Sequence, residues 1–237
     1  MPITVVSQLH VLRVFCDERN AAGNLLGVFA EMPAIPVDQR QEIARRLDFS
    51  ETVFVDDPAQ ARLSIFTPST ELPFAGHPLV GAAWLLRKRY RGLSALRPPV
   101  GEVWIEDRDG LTWVLAKTEY SPPWALRELP DQEAVLSLEG PPEGLGHVQA
   151  WAWRDQQEGV IRARVFAQDY GVSEDPATGS AAVLLCAALQ RRLLIIQGKA
   201  GCESEIYVQP LNDGRIALGG RVILDRPPEA YELLTDD

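Results

Sequence analysis

Cysteine and histidine are both scarce, three of each in 237 residues, and their scarcity removes whole classes of chemistry. Cys16, Cys186 and Cys202 are odd in number, far apart and form no C-x-x-C, which argues against a disulfide framework and a zinc site and leaves three reduced and mostly packed thiols. His10, His77 and His147 show neither H-x-H nor H-x-x-x-H spacing, so no metal site is expected. The longest apolar runs, Leu79 to Leu86 and Ala181 to Leu189, fall far short of the ~20 residues that span a bilayer and read as core segments. Positive charge is short as well: 23 scattered Lys and Arg against 33 Asp and Glu give −10, with no stripe to neutralise phosphates, which argues against nucleic acid as a partner. No G-x-G-x-x-G follows a strand, and Gly198-Lys199 lacks the rest of a phosphate loop, so no cofactor is expected. The stretch Met1 to Val6 has neither a basic n-region nor a small-residue cleavage site, which reads as no export signal and a cytoplasmic protein.

What is present is ordinary globular material, 46% apolar and 24% charged, in a length that suits one large domain or two small ones. His10 to Phe15 and Asn24 to Phe29 read as strands about a turn at Ala22-Gly23. Asp38 with Gln41 reads as a capping box for a helix through Ile43, Ala44 and Leu47. Glu51 to Val55 and Arg62 to Phe66 read as a hairpin around Asp56-Asp57-Pro58, and Glu102 to Ile105 with Leu111 to Ala116 as another around Asp109-Gly110. The segment after Pro78 is apolar on every side, and a helix apolar all round must be buried all round. Tyr120-Ser121-Pro122-Pro123 is the best linker by composition, which divides the chain into 1–119 and 120–237.

The two halves repeat one another. Glu71-Leu72-Pro73-Phe74-Ala75-Gly76-His77 and Glu174-Asp175-Pro176-Ala177-Thr178-Gly179-Ser180 share E-x-P-x-x-G. Upstream, Arg62 to Phe66 matches Arg162 to Phe166; downstream, each motif leads into an all-apolar helix followed by basic residues, Arg87-Lys88-Arg89 and Arg191-Arg192. Strand, turn, motif, buried helix and basic end in the same order twice indicate duplication. Locally, each glycine is explained by a tight strand-to-helix turn. Two such helix N-termini brought face to face by a pseudo-two-fold axis also form an anion site, which suits a small carboxylate-bearing ligand held between the halves.

These blocks, with Gly23-Asn24 and Val28, Ser50-Glu51-Thr52-Val53-Phe54-Val55, Phe66-Thr67-Pro68, Phe74-Ala75-Gly76-His77-Pro78, Gln197-Gly198 and Gly219-Gly220, resemble the PhzF-like phenazine-biosynthesis isomerases. The resemblance implies the α+β, diaminopimelate-epimerase-like fold: two pseudo-symmetric halves, each a curved, mostly antiparallel sheet or barrel around a central buried helix. It implies Glu51 as catalytic acid/base, His77 and Asp175 beside it in the cleft, and Gly76, Thr178, Gly179 and Ser180 as substrate-binding positions in the motif turns. A homodimer is also implied. The epimerases of this fold carry a cysteine at each motif helix; here none lies near, so two-thiol chemistry is excluded. The sequence departs from the family pattern at Leu25, where a proline usually stands, and at Cys202-Glu203, and both departures bear on substrate identity.

Each residue also has a bland reading: Glu51 as a solvated strand-end carboxylate, His77 as a cap before Pro78, Asp175 as an anchor of its own loop. The six tryptophans read as packing residues and none is assigned to the site. The leading expectation is a cofactor-independent isomerase that moves a proton on a small, cyclic, carboxylate-bearing substrate. A metal-free epimerase or racemase using Glu51 with a second acid is the alternative within enzymes, and a non-catalytic small-molecule sensor the alternative outside them.

Overall fold

A computed structural model of the protein describes residues 3–31, 35–170 and 172–235; Met1 and Pro2, on which the export reading partly rests, lie outside the described residues. The fold is α+β, with few helices and a large, mostly antiparallel sheet. In chain order the elements are β1 (Ile3–Cys16), β2 (Asn24–Phe29), α1 (Val37–Leu47), β3 (Glu51–Asp57), β4 (Arg62–Phe66), β5 (Glu71–Leu72), α2 (Gly76–Arg89), β6 (Ala95–Leu96), β7 (Val103–Arg108) and β8 (Leu111–Ala116). There follow β9 (Ala125–Glu128), α3 (Gln132–Leu136), β10 (His147–Asp155), β11 (Val160–Ala167), β12 (Val172–Asp175), α4 (Gly179–Leu189), β13 (Leu193–Gln197), β14 (Ser204–Pro210) and β15 (Ile216–Thr235).

Two stretches of this sheet run in the same order. In the first, β2 lies parallel to β3, β3 pairs antiparallel with β4, β5 adds to β4, and after α2 the chain returns at Arg97 to bridge Arg62 in parallel. In the second, β9 lies parallel to β10, β10 pairs antiparallel with β11, β12 adds to β11, and after α4 the chain returns as β13, parallel to β11. The long β15 joins them, pairing with β14 and β8 in its first part and with β1 in its second.

The all-apolar segments form the deepest helices. In α2, Leu79, Val80, Ala82, Ala83 and Leu86 are fully buried against β1, β2, β3, β8 and β15. In α4, Ala181, Ala182, Val183 and Cys186 are fully buried against β14 and β15. Each fully buried leucine or valine contributes about 1.5–3 kcal/mol, so these two helices anchor much of the core. The basic ends differ. Arg87, Lys88 and Arg89 occupy the last turn of α2, where cations offset the negative end of the dipole, whereas α4 stops at Leu189. Gln190 then takes a left-handed conformation, φ 51°, which carries Arg191 and Arg192 past the helix.

Local signals were accurate where turn chemistry decides and shifted where contacts decide. The helix through Ile43 begins at Val37 after Pro36, so Asp38 sits inside the first turn and Gln41 donates to Thr67 O at 3.0 Å; no capping box forms. The Asp109-Gly110 hairpin is as expected, closing on the Arg108–Leu111 pair with φ 55° and 74° at the two turn residues. An added Cβ at Gly110 meets nothing within 4 Å, so any effect there is conformational. Gly110→Val should cost about 1–2 kcal/mol through its positive φ, and Gly110→Asn much less, as read from urea unfolding.

Candidate active site

The helices α2 and α4 begin at Gly76 and Gly179, and these two residues touch. A Cβ built on Gly76 would lie 2.9 Å from Gly179 Cα and 2.6 Å from Leu218 Cδ2; one built on Gly179 would lie 3.0 Å from Gly76 Cα. Neither glycine has a positive φ, so close backbone approach, and not a turn conformation, is what requires glycine here. No side chain caps either helix at Ala75 or Thr178. The first N–H groups of both helices lack an intrahelical acceptor and a side-chain cap at the N-cap residue, and the two helix ends meet at these glycines.

Three of the expected residues gather at this meeting point. Glu51 opens β3, and its Oε2 lies 3.4 Å from His77 Nδ1, one residue into α2. Glu51 Oε2 and His77 Nε2 are buried and have no hydrogen-bond partner among the described residues. Burial pushes the His77 imidazole down to about 3, against a hydrogen bond to the backbone of Leu25 that raises it, so His77 is neutral at physiological pH. Burial, with a smaller contribution from the negative charge of Asp175, raises the Glu51 carboxyl well above its ordinary value. With the imidazole neutral, the 3.4 Å contact is not an ion pair.

Asp175 ends β12 and belongs to a closed network. Its Oδ1 accepts from Asn24 Nδ2 at 2.9 Å and its Oδ2 from Thr178 Oγ1 at 2.6 Å. Gln197, with no exposed surface, donates to Asp175 O at 2.8 Å and to Thr178 Oγ1 at 2.9 Å, and accepts from Thr178 N at 3.2 Å. Burial pushes the Asp175 carboxyl up to about 6, and the hydrogen bonds from Thr178, Ala177 and Asn24 oppose that rise. Ser180, the second residue of α4, accepts from Trp124 Nε1 at 3.0 Å, and Trp124 stacks on His147 with ring centroids 3.4 Å apart.

The two motif glutamates diverge. Glu174 makes a two-point ion pair with buried Arg164 at 2.8 Å, whereas Glu71 is exposed. Asn24, Gln197 and Trp124 contact site residues without having been given a site role. Asn24 and Gln197 stood in the matching blocks, but only folding shows that both reach Asp175. Trp124 carried no signal that set it apart from the other five tryptophans. Among the described residues no group of three His, Cys, Asp or Glu could hold a metal ion.

The family model for phenazine biosynthesis-like protein, PhzC-PhzF, matches residues 12–140. A Pasteurella multocida protein named as an uncharacterized isomerase is 45% identical over 84 residues, a match covering 34% of this chain and 29% of that protein. The trans-2,3-dihydro-3-hydroxyanthranilate isomerase of Pseudomonas aeruginosa is 32% identical over 216 residues, covering 75% of this chain and 78% of that enzyme. Among solved structures, a Pseudomonas aeruginosa protein described as a predicted epimerase is similar with a TM-score of 0.69 and 27% identity, over 97% of this chain and 100% of that one.

The buried groups leave a signature in stability against pH. The unfolded chain protonates His77 near 6.5 and the fold only near 3, so His77 costs stability as pH falls through that window. Asp175 has the opposite sign: with its carboxyl at about 6 instead of 3.8, the fold favours the protonated form, and that contribution is lost as pH rises through 6. Glu51, also raised, acts in the same sense as Asp175. Urea midpoints measured between pH 3 and 6.5 should therefore fall less towards acid in His77→Asn than in the wild type, and more in Asp175→Asn.

Proposed function

The chain belongs to the PhzC-PhzF family of phenazine biosynthesis-like proteins and is an enzyme of the isomerase class; from that premise we propose that it moves a proton, without a cofactor, on a small, cyclic, carboxylate-bearing substrate, with Glu51 as general acid/base. The observation that carries the reading is Glu51 itself: a carboxyl whose Oε2 is buried, without a donor, and beside two opposed helix N-termini. A substrate carboxylate accepts from the free N–H groups at Gly76, Gly179 and Ser180, where both helix dipoles favour negative charge. Glu51, raised by burial, takes or gives a proton near neutral pH, and the proton that leaves one substrate carbon returns at another. Neutral His77 lies against Glu51 and orients it. Asp175 and Thr178 complete the wall on the other side.

We extend the proposal to the architecture: residues 1–119 and 120–237 as duplicated halves, with α2 and α4 as their central helices. Matching strand order around both helices supports it, as does the Gly76–Gly179 contact, which relates equivalent residues of the two motifs. Epimerisation is the second reading. It is favoured by the second raised carboxyl, Asp175, which reaches the site from the other motif and would serve an opposite face of one carbon. Solvent deuterium would then appear, with inversion, on the carbon that lost its proton, whereas isomerisation places it on a different carbon; a sensor would bind with no exchange.

The first compound to test is trans-2,3-dihydro-3-hydroxyanthranilate, the substrate in the name of the Pseudomonas aeruginosa relative. Glu51→Gln should lower solvent-deuterium exchange by ~10²–10⁴ and leave affinity within a few-fold, since it removes the proton carrier and keeps the shape. Gly179→Ala should instead weaken binding, because its Cβ meets Gly76 Cα at 3.0 Å and parts the helix ends. The homodimer implied by the family resemblance is expected in sedimentation velocity at micromolar concentration.

A further inference from the structure

Asn24 opens β2 and is 2% exposed, yet it makes contacts across the whole site. Its Nδ2 donates to Asp175 Oδ1 at 2.9 Å and to Ala177 O at 3.3 Å, and its Oδ1 accepts from Ser50 Oγ at 3.1 Å. Ser50 immediately precedes Glu51. The Ser50 hydroxyl holds the amide oxygen on its own side and so turns the amide N–H groups towards the Asp175 loop. One buried side chain thus ties the hydroxyl of the residue preceding one carboxyl to the oxygen of the other.

The donors are unevenly shared. Both oxygens of Asp175 accept, from Asn24 and from Thr178, while Glu51 Oε2 accepts from nothing among the described residues. Donors favour the ionised form of a carboxyl and burial without donors favours the neutral form. Two carboxyls close enough to repel do not both ionise readily, so the donors decide which one keeps the proton. The groups acting on Asp175 are Glu51 from β3, with His77 of α2 behind it, and the donors Asn24, Thr178 and Ala177; no lysine or arginine is among them.

We propose that Asn24 is a positioning residue that holds Asp175 ionised and thereby assigns the shared proton to Glu51, where the reaction uses it. This deepens the proposed function and rests on it. A proton held on Asp175 would be withdrawn from the exchange between Glu51 and substrate. Opposed burial and hydrogen bonding at Asp175 support the assignment: removing the Asn24 donor leaves burial less opposed.

The test uses carboxyl-carbon NMR titration of the free protein with labelled Asp and Glu, which needs no substrate. In the wild type, Asp175 should titrate below Glu51. Asn24→Leu, which keeps the volume and removes the amide, should raise the Asp175 midpoint by about one pH unit or more and move the acid limb of the exchange pH profile with it. Ser50→Ala, which keeps the donor but frees the amide, should give a smaller shift in the same direction. The proposal is overturned by Glu51 titrating below Asp175 in the wild type. It is overturned equally if Asn24→Leu loses stability while its Asp175 midpoint stays put, or, should that variant not fold, if Ser50→Ala leaves the midpoint unchanged. Failure of the functional reading is separate: it is a wild type whose exchange is untouched by Glu51→Gln.

Discussion

Two helix N-termini in backbone contact are the constraint on which the molecule is built. Each end carries roughly half a positive charge, and pressing Gly76 against Gly179 sets like against like with no side-chain cap on either. That arrangement is held by everything behind it. The helices are apolar on all sides, so the sheet has to cover them, and Leu218 of β15 plugs the seam beside both glycines. The stability of the core is what keeps two unfavourable ends together.

Placement, more than residue type, distinguishes the acids of this protein. Glu174, Asp175 and Glu51 are all carboxyls beside the motif turns, yet each meets a different environment. A guanidinium holds Glu174 below its ordinary range although burial pushes the other way. Asp175 is buried among neutral donors and sits between the extremes. Glu51 has burial and a neighbouring negative charge, with nothing to offset them. Three carboxyls beside the same turns thus differ in proton affinity: Arg164, with Lys199, lowers Glu174, whereas burial raises Asp175 and Glu51.

The sequence foretold most of what depends on neighbouring residues. The two all-apolar runs became the two buried helices, Asp109-Gly110 became its hairpin turn, and the motif turns converged with Glu51, His77 and Asp175. What it did not foretell depends on distant partners. His10 to Phe15 extends to Ile3–Cys16 because β15 gives it a full-length neighbour, and Gln41 leaves its expected cap to reach Thr67 O. Asn24 and Gln197 illustrate the same limit within the site: a buried amide has no chemistry of its own, and its importance lies in the carboxyl that another part of the chain brings to it.

The course of β15 has a consequence for biogenesis. It supplies the neighbour for β1, for β8 and for β14, and its pairing with β1 joins opposite extremes of the described chain, from Ile3 with Thr235 to Cys16 with Arg221. A nascent chain that has emerged only as far as Pro210 holds both motif helices but lacks the strand that closes β1 and β8. Their ladder edges are then open, and open edges recruit other chains. Pairings of such long sequence separation also form slowly, so a ribosome-bound or prematurely terminated chain exposes adhesive edges for longest where synthesis is last to reach.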